Sequence, residues 1–165
     1  RSTLEAIEIS TRPIAVTHAN PITWRDTKRN KSDAVMKALG ESGGMLGFSL
    51  YPHHLAGGSD CTLPAFCQMV AMTAELMGVD RIGIGSDLVQ KQPDSVVDWM
   101  RSGKWTKQTN ASFTWPAPTS WFAGNHDLPG IAQGLLDTGF AKSDVDKIMG
   151  GNWLRFMESA FEPAG

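Results

Sequence analysis

The sequence predicts an α/β fold built on a short parallel sheet, and three observations carry that expectation. Three brief apolar runs each end on a polar residue: Ile14-Ala15-Val16-Thr17 on His18, Met45 to Leu50 on Tyr51, and Arg81 to Gly85 on Ser86-Asp87. Each is bounded by Pro or Gly, as expected of buried parallel strands. Helical patterns lie between the runs, which makes the series strand–helix–strand with right-handed crossovers.

Taken in order, Ser2-Thr3-Leu4-Glu5 reads as a capping box, with Leu4, Ile7 and Ile9 as apolar positions before Arg12-Pro13 ends the segment. Ser32 caps a helix through about Leu39, closed by Gly43-Gly44. The loop from His53 to Asp60 is rich in turn residues, and its adjacent histidines, His53 and His54, are expected at the surface. Thr62 caps the next helix, where Pro64 is tolerated in the first turn. Its stripe of Phe66, Met69, Val70, Leu76 and Met77 has the spacing of core packing. Residues 89–125 lose all periodicity but hold Trp99, Trp105, Trp115 and Trp121. That much apolar surface predicts an ordered excursion, over the mouth of a site or at a subunit contact, with a short helix at Val96–Met100. Helices then start at Asp127-Leu128-Pro129, with Ile131, Leu135 and Leu136 inward, and at Ser143. Asn152 caps the last, whose apolar face is Trp153, Phe156, Met157 and Phe161.

The bulk numbers narrow the function classes. At 165 residues the chain supports one real core, but a complete (β/α)8 barrel takes about 250. With 15 basic and 17 acidic residues and no block of one sign, nothing argues for nucleic acid or an anionic membrane. The terminal helix pair lacks the basic face of a DNA reader. No apolar run reaches the roughly 18 residues of a membrane span. Cys61 and Cys67 have no metal-ligand pattern around them, so free thiols and a cytoplasmic location are expected. The first residue is not Met and the chain opens at a helix cap, so an upstream segment of a longer protein is also expected.

Side chains at consecutive strand ends converge in a parallel sheet, so His18, Tyr51 and Asp87 are the candidate site although they lie 33 and 36 residues apart. Arg29, in the loop after the first strand, adds a cation suited to a carboxylate. Plainer roles stay open for each: a core histidine, a ring anchored under its loop, a turn cap at Asp87 and a solvated charge at Arg29.

Thr17-His18-Ala19-Asn20 followed by Lys28-Arg29-Asn30 resembles the Ser-His-Ser…Arg-Asn signature of the renal or membrane dipeptidases. The likeness continues, in the same order, through Gly43 to Pro52, Arg81 to Asp87 and Gly151-Asn152-Trp153-Leu154-Arg155. The resemblance implies the carboxyl-terminal part of a (β/α)8 barrel spanning 1–165, with about three strand–helix units plus terminal helices and 89–125 as a loop within it. It further implies a zinc site of two ions bridged by a Glu and a water, with His18 ligating one of them. By the same resemblance Asp87 moves a proton or holds the substrate's ammonium group, and Arg29 contacts the substrate. The substrate would be a dipeptide, and the other ligands would lie in the upstream half of the protein; a homo-oligomer is a further expectation. Two stretches depart from the family pattern: Gly85-Ser86-Asp87-Leu88-Val89-Gln90 stands where the family has Gly-Gly-Asp-Phe-Asp-Gly, so that Val89 replaces the second acid, and Ser49-Leu50-Tyr51 replaces Asn-Phe-Tyr. Alternatives are an amidohydrolase acting on a non-peptide amide and a binding or assembly domain without catalysis. A three-strand slice of a barrel should also have two open sheet edges and an uncovered inner face.

Overall fold

Apolar runs too short to stand alone become strands here because helices cover them. The computed structural model describes residues 2–89, 93, 95–96 and 116–161. Most of the expected helix over Val96–Met100 and of the tryptophan-rich excursion lies outside the described residues. Strands β1 (Ala15–Val16), β2 (Met45–Phe48) and β3 (Ile82–Ile84) form one sheet in the order β1-β2-β3. Both pairings are parallel, with Ala15 opposite Met45 and Gly47 opposite Gly83. The helices are α1 (Ser2–Ile9), α2 (Asp33–Glu41), α3 (Leu63–Met77), α4 (Leu128–Asp137), α5 (Lys142–Asp146) and α6 (Asn152–Phe161).

The two sheet faces are covered differently. Leu46, Phe48 and Ile82 are completely buried with Met36 and Leu39 of α2 and Phe66 and Val70 of α3. Phe48 meets Phe66 edge-on at 6.2 Å. The caps expected at Ser32 and Thr62 are in place, accepting from Val35 and Ala65 backbone N–H groups. Leu76 is the exception to the α3 stripe, at 36% exposed. Cys61 and Cys67 are free and buried, and burial pushes the Cys67 thiol up to about 11.

On the opposite face β2 and β3 present Gly47 and Gly83 side by side. A Cβ on Gly83 would stand 2.6 Å from the Trp153 Nε1, and one on Gly47 would stand 2.9 Å from the Trp153 ring. The indole therefore occupies the space where side chains would otherwise project. Trp153 of α6 thus packs against part of the face expected to be uncovered.

Carbonyls on the outer edge of β3 also find side-chain donors. Gly85 N–H bonds to Phe48 C=O, so by alternation the carbonyls of Ile82 and Ile84 point away from β2. Asn152 Nδ2 donates to Ile82 O at 2.8 Å and Val79 O at 2.7 Å, and Trp153 Nε1 donates to Ile84 O at 2.9 Å. Asn152 is thus no cap; its backbone is already helical (φ −66°, ψ −39°) and its side chain serves the sheet edge. Nor does Ser143 cap α5. That helix begins one residue earlier, after the extended Ala141, and runs through a wide turn at Lys147–Gly151 into α6. The far end of the predicted apolar face, Met157 and Phe161, is exposed at 48% and 81%.

Candidate functional site at the strand ends

The site grows from how the chain leaves each strand. At the end of β1 the Thr17 carbonyl turns over Gly47 and Gly85, where any Cβ would collide with it. Ala19 N–H then picks up Gly47 C=O at 2.9 Å, which fixes His18 between two anchored residues. The half-buried imidazole places Nδ1 2.8 Å from the Thr17 hydroxyl. A ring held through Nδ1 has its Nε2 directed elsewhere, the usual arrangement of a metal-binding histidine.

Two buried asparagines tie the next loop to this one. Asn20 receives Ser49 N–H at its Oδ1 (3.1 Å) and donates to the carbonyls of Ser49 (3.0 Å) and His54 (3.1 Å). Asn30 accepts Asn20 N–H (3.0 Å) and donates to the carbonyls of Arg25 (2.9 Å) and His54 (3.1 Å). Arg29, adjacent to this anchor, is itself exposed.

After β2 the chain tightens into a helical turn at Pro52–His54, and the prediction for His54 fails. His54 is only 7% exposed, and its Nδ1 lies 2.8 Å from the Ser49 hydroxyl. Adjacent histidines were expected to share the surface of an open loop. Pro52 instead starts a turn that folds His54 back under β2 while His53 stays outside. Tyr51 packs edge-on against both rings, at 5.1 and 5.2 Å. Burial lowers the His54 pKa, with Arg29, His18 and His53 acting in the same direction and Asp87 opposing them.

Asp87 follows β3 with φ 55°, the one left-handed non-glycine among the described residues. Such backbone is uncommon outside glycine and concentrates at functional sites. The turn is held by Ser86, whose hydroxyl accepts Leu88 N–H at 3.3 Å, so the cap role belongs to Ser86 rather than Asp87. Asp87 and Tyr51 share a cavity of about 220 Å³ with Leu88, Val89 and Phe122. His18 and Arg29 do not line it.

Among the described residues no three His, Cys, Asp or Glu side chains come together as a metal site. His18 fits the part of one ligand, and a catalytic zinc takes about three from protein. Among the described residues, too, no helix is long and apolar enough to cross a membrane.

The sequence model of the membrane dipeptidases (peptidase family M19) matches residues 1–107, the stretch that carries all four candidate residues. The chain belongs to the membrane dipeptidase family. At the family level the chemistry is that of a metallopeptidase acting on dipeptides. A Klebsiella pneumoniae relative, described as an uncharacterized protein in the pqqA 5' region, is 26% identical over 93% of this chain and 49% of its own length. An amidohydrolase crystal structure from Pseudomonas aeruginosa superposes with TM-score 0.88 at 25% identity, over 98% of this chain and 50% of that one. A Rhodobacter sphaeroides metallopeptidase, solved with a phosphinate mimic of L-Ala-D-Ala, shares the fold at TM-score 0.73 and 17% identity, over 96% of this chain and 39% of that one. The chain thus spans about half the length of the relatives it matches most fully.

Proposed function

We propose that the protein containing this chain is a zinc-dependent dipeptidase, and that these residues form the carboxyl-terminal strands of its (β/α)8 barrel. The family match over the strand ends carries the reading, since His18, Arg29, Tyr51 and Asp87 all fall within it. His18 contributes one metal ligand, and the remainder belong to the rest of the protein. Held there, the metal would supply an acidified water and a Lewis acid for the scissile carbonyl.

The chain's own residues orient the substrate. Arg29 offers its guanidinium fork to the substrate carboxylate. Asp87 is exposed and accepts no hydrogen bond from the described residues, so its carboxylate is free to hold an ammonium group or take up a proton. Tyr51, on the same cavity wall, packs against whatever Asp87 holds. A second reading, hydrolysis of a non-peptide amide, draws on Val89 replacing the family's second acid beside Asp87.

The test uses the full-length protein. His18→Ala is expected to lose one metal equivalent and most dipeptide hydrolysis. Full zinc occupancy with normal turnover in that variant would overturn the assignment.

A further inference from the structure

We propose that the cavity beside Asp87 selects an apolar side chain on the ammonium-bearing residue of the substrate; this rests on the dipeptidase reading and specifies its substrate class. The cavity is about 220 Å³ and opens between the ends of β2 and β3. A dry cavity of about 150 Å³ lined by aliphatic residues takes up benzene, so this one has room for an isobutyl or benzyl group. Its walls are Leu50, Leu88, Val89, Pro118 and Phe122, and its polar side chains are Asp87, Tyr51 and Ser86.

The chemistry of these walls decides what enters. An acidic side chain would meet the Asp87 carboxylate, and like charges repel. A polar side chain would leave water for walls that are mainly aliphatic and aromatic. An apolar side chain whose own amine stays at Asp87 satisfies both regions together. Val89 makes the difference from the family pattern: an acid there would add a second charge to the wall, and valine instead continues the apolar surface from Leu88. Phe122, only 4% exposed, closes the cavity from the returning segment, which is anchored by Ser59 Oγ donating to Ala117 O at 2.6 Å.

The experiment compares Leu-Ala, Phe-Ala and Gly-Ala on the metal-loaded full-length protein and its Val89→Asp variant. Val89 is 47% exposed, so the substitution leaves the core untouched. The leucyl substrate should exceed the glycyl one in kcat/KM by about 10- to 100-fold, and Val89→Asp should bring that ratio toward one. Equal values for the two substrates in the unmodified protein would overturn the inference. Calorimetric titration with leucinamide and glycinamide separates the pocket from the reaction. Tighter leucinamide binding that Val89→Asp removes, without dipeptide cleavage, keeps the pocket and rejects the dipeptidase reading. Equal binding of the two amides rejects the pocket whatever is hydrolysed.

Discussion

The Ser49 hydroxyl and the His54 Nδ1 meet at 2.8 Å beneath the end of β2, where both residues are buried. The same hydroxyl accepts Tyr51 N–H at 3.3 Å, so this pair sets the path of the loop carrying the cavity's phenol. Among the described residues no buried side-chain nitrogen or oxygen lacks a partner, and the asparagine, serine and histidine network contributes to this.

That network implies a pH dependence. Burial, aided by Arg29, His18 and His53 and opposed by Asp87, holds His54 below its ordinary value of 6.5. The unfolded chain then binds the extra proton first as pH falls. The His54 contribution is therefore complete above about pH 6.5 and is lost as pH drops toward the lower folded value. Melting temperature measured from pH 8 to 5 should fall more steeply in the unmodified protein than in His54→Gln. Parallel curves for the two would reject the account.

Asn152→Ala removes two donors at once and leaves the carbonyls of Val79 and Ile82 without them. Each buried group left unsatisfied costs about 1–3 kcal/mol. Urea unfolding should show a loss of about 2–5 kcal/mol, which Asn152→Asp should not restore because a carboxylate cannot donate. A loss below about 1 kcal/mol would mean water takes over the edge.

Gly85→Ala places a methyl against the Thr17 carbonyl, which is backbone and cannot swing aside. Overpacking of this kind costs about 1–3 kcal/mol. The strand ends must also separate, so activity should fall along with stability. By contrast, Gly130→Ala meets nothing within 4 Å and serves as the control. Equal behaviour of the two variants would show that the Thr17 contact is unimportant.

Asp87→Asn should preserve fold and metal content while reducing kcat/KM by about 10²-fold or more, because an amide neither takes up a proton nor pairs with an ammonium group as a carboxylate does. Steady-state kinetics with zinc analysis decide the point. An unchanged kcat/KM would return Asp87 to a structural role in its turn.

Much of this was legible in the residues because it is local. Helix caps at Ser32 and Thr62, glycine-bounded strands and polar residues at strand ends follow from dihedral preference and hydrogen-bond supply within a few positions. The family signature rests on the same short stretches, so it too could be read directly. What only the tertiary structure decided depends on groups distant in the chain. Asn152 looked like a cap until β3, 70 residues earlier, supplied a carbonyl for its amide. His54 looked exposed until the turn at Pro52 carried it beneath Ser49. Trp153 looked like one more core residue until Gly47 and Gly83 turned out to leave room for its ring. A side chain's local pattern states what it can bond to or bury. Which group it meets is set by the packing of the whole chain, because a buried donor or apolar ring is stable only where the fold brings a matching partner.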